Sequence, residues 1–191
     1  MTRSGTSEKA MSRFTAATVF VAAVWGISIL GFAGFLDVIP KLYPRHVSGL
    51  WGIATMPFLH VDIPHLLSNT LPLVVFSVLI SLRGNSRFIE VTLMIMVIGG
   101  GLLWVFGRPY YHVGASGLIF GYFGYLLMRS WYSPSLSSVV ISVAVILIYG
   151  GLIWGILPQG RNVSWDGHLM GLIAGVLVAR LSSTRHSGNK R

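Results

Sequence analysis

The chain has 191 residues, of which 53% are hydrophobic and 10% are charged, and its formal net charge is +9. Soluble domains typically carry about 25% charged residues, so this composition argues against a water-soluble domain. The basic residues occur singly or near the termini rather than in a stripe with aromatic residues, which argues against nucleic-acid binding. The absence of cysteine excludes disulfides and thiolate metal sites.

Six uncharged segments predict six membrane-spanning helices. A helix needs about 20 apolar residues to cross a bilayer; five segments approach or exceed that length, and the sixth has 13 residues. The segments are 14–36, 63–82, 91–107, 109–128, 130–160 and 167–179. Residues 37–64 contain glycine, serine, Pro57 and two histidines, so we expect a long loop in or on the membrane between the first two helices. The sequence therefore predicts an all-α, polytopic membrane protein built as a six-helix bundle.

The distribution of basic residues predicts the orientation of this bundle. With six spans, ten of the 14 lysines and arginines fall on the face that carries both termini and four on the other face. The positive-inside rule then places both termini in the cytoplasm. We expect one membrane domain, 14–181, between a cytoplasmic tail, 1–13, and a basic cytoplasmic tail, 182–191. The first span is longer than a signal-peptide core and is predicted to stay uncleaved, which gives an integral, multi-pass protein of a prokaryotic inner membrane.

Polar side chains occur near the start of three predicted spans. The second span begins with "FLHVDIPHLLSN", which contains His60, His65 and Asn69; the fourth begins at Ser116, and the sixth at "WDGHLMG", which contains His168. Polar groups inside a bilayer are costly and are candidates for function. All three spans begin at the outer face and run parallel, so we expect these residues to lie near one another.

The three most deeply placed of these residues share one predicted depth. Asn69, Ser116 and His168 lie 14, 13 and 12 residues before the arginine that ends their span. At about 1.5 Å per residue they lie roughly 18 to 21 Å above the inner boundary. In a hydrocarbon core about 30 Å thick they are then about 10 Å below the outer surface. A helix that begins this deep must face a water-filled cavity, which also explains the short sixth span.

Glycines predict close packing of the fourth span on the sixth. Small residues at this spacing let two helix backbones approach each other in a membrane. The glycines are Gly117, Gly121 and Gly124 on the fourth span, and Gly171 and Gly175 on the sixth. Packing of these two faces would bring the Ser116 hydroxyl within reach of His168.

A serine beside a histidine predicts nucleophilic catalysis. Serine becomes a good nucleophile when a base takes its proton, and histidine is the usual base near neutral pH. We therefore predict a Ser116–His168 dyad in which His168 later protonates the leaving amine. Asp166 lies two residues before His168 and so faces elsewhere on a regular helix, which leaves a dyad rather than a triad.

Acyl transfer also needs hydrogen-bond donors for the developing oxyanion. The backbone N–H of Ser116 is one candidate, and the side chains of His65 and Asn69, four residues apart on one helical face, are two more. Gly114 and Gly117 let the backbone bend sharply beside the serine. This site requires neither a cofactor nor a metal ion.

Two other classes of function use some of the same residues. Clustered histidines can bind zinc, but the sequence has no His-Glu-x-x-His helix and a metal site leaves Ser116 without a role. The histidines of such a site would be His60, His65, His112 and His168. A membrane protein that binds client helices without cutting them is the second alternative. A small transporter is disfavoured because the chain lacks an internal repeat and broken, charged helices.

Three sequence segments resemble the signature segments of the rhomboid family of intramembrane serine proteases. They are "HVDIPHLLSN" (60–69), "GASGLIFGYFG" (114–124) and "SWDGHLMGLIAG" (164–175), and the resemblance covers 49–181. It implies a minimal six-helix core, a dyad at Ser116 and His168, and cleavage of transmembrane substrates within the bilayer near its outer face.

The same resemblance assigns roles to further residues. It implies that Ser116, His65 and Asn69 form the oxyanion site, and that His60 helps to organise the first loop and the cavity. It also implies that Phe120 packs on the catalytic histidine. In the first loop the sequence departs from many members of the family, because Trp51 is followed by glycine rather than arginine.

Overall fold

The computed structural model describes residues 13–35, 38–160 and 163–188, with side chains of the last helix as far as residue 183. The described residues form six long helices and no β-strand, so the predicted all-α fold is confirmed. We label the helices α1 (Thr15–Phe32), α2 (Ile63–Ser81), α3 (Asn85–Phe106), α4 (Ser116–Tyr132), α5 (Leu136–Tyr149) and α6 (Trp165–Gly188). Three short helical turns, Val47–Trp51, Gly52–Thr55 and Met56–Phe58, lie between α1 and α2, and a 3-10 turn, Gly150–Ile156, follows α5.

Four segments of the described chain are long and apolar enough to cross a membrane. They are Thr15–Phe32, Ile63–Ser81, Asn85–Phe106 and Leu136–Ile156. Large apolar side chains on their outer surfaces are exposed, with Leu136 at 84% and Leu147 at 79%. Such surfaces are stable in lipid rather than in water, so the chain is an integral, multi-pass membrane protein.

Some helix boundaries differ from the uncharged segments. The fourth uncharged segment begins at residue 109, but α4 begins at Ser116, the residue at which the fourth span was predicted to begin. α6 extends from Trp165 to Gly188 and so continues beyond the uncharged segment 167–179 at both ends. Most of the predicted N-terminal tail (1–12) and the last residues of the C-terminal tail (189–191) lie outside the described residues, as do Asp37 and Arg161.

The centre of the bundle is a close contact between the backbones of α4 and α6. A Cβ atom at Gly171 would overlap the carbonyl oxygen of Gly117, and one at Gly175 would overlap the carbonyl oxygen of Gly121. Between these glycines no side chain separates the two helices, so the residues at their first turns are held at a fixed distance. The predicted interface glycines that lie here are Gly117, Gly121 and Gly124 on α4 and Gly171 and Gly175 on α6.

The connection between α1 and α2 is fastened to the end of α3. The Arg45 side chain donates from Nη1 to the carbonyl oxygens of Val105, at 3.2 Å, and Gly107, at 2.7 Å. The Trp104 indole N–H donates to the carbonyl oxygen of His46 at 2.9 Å. The two Arg45 bonds satisfy carbonyls that the end of α3 leaves without partners, and all three bonds hold the first loop without an arginine after Trp51.

Candidate active site

Ser116 and His168 are in hydrogen-bond contact across the α4–α6 interface. Ser116 is the first residue of α4 and His168 the fourth residue of α6, and Ser116 Oγ lies 2.9 Å from His168 Nε2. His168 Nδ1 lies 2.9 Å from the carbonyl oxygen of Gly155. A carbonyl only accepts, so Nδ1 carries the proton and the Nε2 lone pair accepts from the Ser116 hydroxyl. This is the arrangement in which a neutral histidine acts as a general base.

The imidazole of His168 is held by Phe120 as well as by the Gly155 carbonyl. The ring of Phe120 stacks on it, with centroids 4.2 Å apart and planes at 4°. A Cβ atom at Gly155 would lie 2.6 Å from Phe120 Cζ and 3.4 Å from His168 Nδ1. The Gly155 carbonyl can therefore approach the ring because residue 155 has no side chain. Sequence reasoning missed Gly155, since nothing within 130–160 distinguishes it from the other glycines there.

The two predicted side-chain donors to the oxyanion, His65 and Asn69, lie against Gly114. Gly114 has φ +111°, a conformation that favours glycine. A Cβ atom there would lie 2.9 Å from His65 Nε2 and 3.8 Å from Asn69 Nδ2. The Ser116 N–H, at the first position of a helix, has no intrahelical acceptor. The three donors named from the sequence are thus gathered around one short stretch of backbone.

Asn69 carries a donor without an acceptor. Its side chain is 7% exposed, and its buried Nδ2 atom makes no hydrogen bond in the described part of the chain. A buried donor left unpaired costs about 1 to 3 kcal/mol. A negatively charged oxygen bound beside it would offset that cost.

A cavity of about 960 Å³ surrounds these groups. A cavity of that size with polar groups in its wall is large enough to hold water. Its wall includes both members of the Ser–His pair and both side-chain donors, together with Arg108 and two tyrosines from the loop between α3 and α4. The lining residues used below are His65, Asn69, Arg108, His112, Ser116, Phe120, Gly151, Gly155, Ser164 and His168.

A second serine–histidine pair lines the same cavity. Ser164 Oγ lies 2.7 Å from His112 Nδ1, and His112 Nε2 lies 3.2 Å from the carbonyl oxygen of Arg108. By the same argument Nε2 carries the proton and Nδ1 accepts from the Ser164 hydroxyl. His112 is only 3% exposed, and burial lowers its pKa. Sequence reasoning named His112 only as one histidine of a possible zinc site, so it missed this partnership.

Asp166 does not contact the ring of His168 but binds Arg108. Asp166 Oδ1 accepts from the Arg108 guanidinium at 3.0 Å, and Oδ2 accepts from the Arg108 backbone N–H at 2.8 Å. The guanidinium also donates to the carbonyl oxygen of Val163 at 2.8 Å and lies 4.9 Å from the ring of Trp165. This ion pair joins the loop before α4 to the first turn of α6.

His60 lies between α1 and the start of α4. Its Nδ1 is 2.9 Å from Ser28 Oγ, and its Nε2 is 3.4 Å from the backbone nitrogen of Ala115. Its ring meets that of His65 edge to face, with centroids 5.0 Å apart. Burial, and then the neighbouring His65, lower the pKa of His60 to about 4.

The four histidines considered for a metal site are divided among different partners. His60 and His65 are neighbours, whereas His112 binds Ser164 and His168 binds Ser116. The described residues contain no group of three histidine, aspartate or glutamate side chains that could hold a metal ion.

Comparison with known proteins agrees with the resemblance of the three segments. The rhomboid domain model matches residues 47–185. An uncharacterized protein of Mycobacterium leprae is 43% identical over 188 residues, covering 84% of this chain and 72% of that protein. An uncharacterized protein of Mycobacterium tuberculosis is 37% identical over 179 residues, covering 88% and 75%. Rhomboid protease GluP of Bacillus subtilis is 32% identical over 135 residues, covering 68% of this chain and 25% of that protein. The chain belongs to the rhomboid family, which includes serine proteases.

Proposed function

We propose that this rhomboid is an intramembrane serine endopeptidase that cleaves transmembrane segments near the outer face of the membrane. The observation that carries the proposal is the Ser116–His168 hydrogen bond of 2.9 Å, with the proton of His168 held on Nδ1 by the Gly155 carbonyl. That tautomer leaves Nε2 free to take the serine proton. The proposal rests also on membership of a family that includes serine proteases.

The reaction follows from these two side chains. Ser116 Oγ attacks the substrate carbonyl while His168 Nε2 takes the hydroxyl proton, giving a tetrahedral oxyanion and an imidazolium. The imidazolium returns the proton to the leaving amine, and the peptide bond breaks to leave an acyl-enzyme. A water molecule from the cavity then gives a proton to His168 and attacks the ester. The ester bond breaks to release the acid, and the imidazolium returns the proton to Ser116 Oγ.

The oxyanion of each tetrahedral intermediate is stabilised by three donors. They are the Ser116 N–H and the side chains of His65 and Asn69. The unpaired Nδ2 of Asn69 supports this role, because a donor fixed in place before the reaction does not have to reorganise as charge develops.

All six helices cross the bilayer in this proposal, with both termini in the cytoplasm of a prokaryotic cell and 14–181 forming the membrane domain. Arg83 lies in the α2–α3 turn and Arg129 near the end of α4. Burial lowers the pKa of Arg83, and the nearby charge of Arg129 lowers it further. Basic residues gathered there match a cytoplasmic face. The cavity and the loop 37–64 then lie toward the outer face.

The substrates are transmembrane segments that unwind near the outer interface. A helical peptide bond has its carbonyl hydrogen-bonded along the helix, so a local break must expose it before Ser116 can attack. Segments with small or helix-destabilising residues at that depth meet this requirement at the lowest cost.

Labelling with a fluorophosphonate probe tests the proposal. Wild-type protein in detergent should be labelled, and Ser116→Ala and His168→Ala should each abolish labelling while the protein remains folded. Ser164→Ala is the matched control, because it removes the other cavity serine that is bound to a histidine, and it should be labelled like wild type. An unlabelled wild type that still binds client helices would instead identify a binding protein.

A further inference from the structure

A buried serine on the first helix is connected to the start of α4 by a chain of hydrogen bonds. Ser28 is 1% exposed, and its hydroxyl lies 3.0 Å from the carbonyl oxygen of Phe58 and 2.9 Å from His60 Nδ1. The other ring nitrogen of His60, Nε2, accepts from the Ala115 N–H at 3.4 Å. These hydrogen bonds connect α1, through the first loop, to the residue immediately before Ser116.

Only one direction of proton donation satisfies all these contacts. The Ala115 N–H can only donate, so His60 Nε2 must be an unprotonated acceptor. The Phe58 carbonyl can only accept, so the Ser28 hydroxyl donates to it. Ser28 Oγ is then left to accept from His60 Nδ1–H, which fixes the neutral imidazole in the Nδ1–H tautomer.

The Ser28 hydroxyl bonds outside its own helix. A serine or threonine hydroxyl in a helix can bond to the carbonyl four residues earlier on its own helix, as Thr70 does to Leu66 and Thr92 does to Phe88. Ser28 instead reaches across to the loop. It is one of three buried residues on α1 and the polar one among them.

At the end of this hydrogen-bond series away from Ser28, the first loop holds the backbone before Ser116. The first loop accepts two successive N–H groups before the serine: Met56 O accepts from Gly114 N at 3.0 Å, and His60 Nε2 accepts from Ala115 N. The Ala115 carbonyl accepts from Ile119 N at 2.9 Å. Both sides of residue 115 are therefore held, and the Ser116 N–H lies in the same peptide plane as the Ala115 carbonyl.

We infer that Ser28 is a positioning residue for the nucleophile: by selecting the tautomer of His60 it fixes Ala115 and, through it, the direction of the Ser116 N–H. The inference rests on the proposed function, in which that N–H is an oxyanion donor. Without the Ser28 hydroxyl, His60 can move its proton to Nε2, where the proton would oppose the Ala115 N–H. The start of α4 then loses an acceptor while the dyad itself keeps its side chains.

The test compares Ser28→Ala with Ser142→Ala in full-length protein reconstituted in liposomes with a transmembrane substrate. Ser142, on α5, is the matched control, because it is also buried and donates to a backbone carbonyl of another helix, that of Leu126 on α4, at 2.8 Å. Ser28→Ala should lower kcat about tenfold, the effect of one misplaced hydrogen bond, with KM unchanged. Ser142→Ala should leave kcat unchanged, and Ser28→Thr, which keeps a hydroxyl, should restore most of it.

A second measurement separates this inference from the proposed function. The ¹⁵N chemical shifts of His60 report its tautomer in wild type and in Ser28→Ala whether or not the protein cleaves anything. A protonated Nδ1 in wild type and a mixture in Ser28→Ala support the inference. A tautomer unchanged by the substitution overturns it, as does a kcat equal to that of wild type in an active protein. A wild type that neither labels nor cleaves overturns the proposed function instead.

Discussion

The cavity contains two serine–histidine pairs that look alike at the level of hydrogen bonds. Ser116–His168 and Ser164–His112 are 2.9 and 2.7 Å apart, and in each the second ring nitrogen faces a backbone carbonyl. Their surroundings differ. Ser116 begins a helix next to the unpaired amide of Asn69, whereas Ser164 precedes α6 and its carbonyl accepts from the His168 N–H. Under the proposed function this difference decides which serine reacts, because a nucleophile needs donors for the oxyanion as well as a correctly oriented base.

Replacement of each serine is the most direct way to break the comparison. Ser116→Ala should lower the cleavage rate by at least about 1,000-fold, because it removes the proposed nucleophile. Ser164→Ala should retain most of the activity. The measurement is the cleavage of a transmembrane substrate in liposomes, normalised to folded protein. Comparable losses in the two variants would contradict the assignment of the nucleophile.

Removal of an oxyanion donor tests what distinguishes the two pairs. Asn69→Ala should lower kcat about 100-fold with little change in KM, since the missing donor acts mainly in the transition state. Asn69→Asp has the same shape but places a carboxylate where negative charge develops, so it should lower kcat further. Steady-state kinetics decide the point; an Asp variant as active as the Ala variant would show that residue 69 does not face the oxyanion.

The carbonyl that orients His168 can be displaced without touching the dyad. Gly155→Ala adds a methyl group 2.6 Å from Phe120 Cζ and 3.4 Å from His168 Nδ1, so we expect kcat to fall about tenfold as the ring shifts. Gly151→Ala is the control, because a Cβ atom at Gly151 meets nothing within 4 Å. Equal activity in the two variants would mean that this carbonyl does not position the base.

The sequence was sufficient for the parts of the fold and site that repeat at a helical period or depend on charge. The α4–α6 contact follows from the spacing of glycines such as Gly117 and Gly171, and the proximity of Ser116 to His168 from their shared depth. The ends of the helices were harder to predict from the sequence. α6 continues through Arg180, because an arginine marks the membrane boundary but is itself a good helix former.

The missed features of the site depend on contacts between residues far apart in the chain. Arg108 and Asp166 are 58 residues apart, and Ser28 and His60 are 32 apart. Nothing local distinguishes Ser28 from a serine that bonds to its own helix, or Gly155 from a glycine that merely ends one. Such partners become apparent only when the packing of the bundle is known.

The ion pair that joins the loop before α4 to α6 should affect stability more than chemistry. Asp166→Asn keeps the shape of a side chain that is 4% exposed but leaves the guanidinium of Arg108 without its counter-charge. We expect a loss of about 2 kcal/mol in the free energy of unfolding. Unfolding in mixed micelles measures it, and the further change Arg108→Gln should cost less in the Asp166→Asn background than in wild type. Strictly additive effects would show that the pair is not coupled.

The smallest expected effect is a loss of stability in acid that comes from histidines outside the dyad. Burial lowers the pKa of His112, and burial together with His65 lowers the pKa of His60 to about 4. The folded state therefore favours neutral rings, and the unfolded chain takes up protons first as the pH falls below about 6.5. Stability is full above that pH and is lost toward pH 4. The charged groups nearest these rings are Asp62 and His65 for His60, and Arg108 and Asp166 for His112.

Thermal unfolding between pH 7.5 and 4.5 measures this loss of stability, and His112→Asn should make the loss shallower because one of the two rings no longer titrates. An unchanged slope in that variant would show that the Ser164–His112 pair does not depend on a neutral ring, and so would remove one of the likenesses between the two pairs.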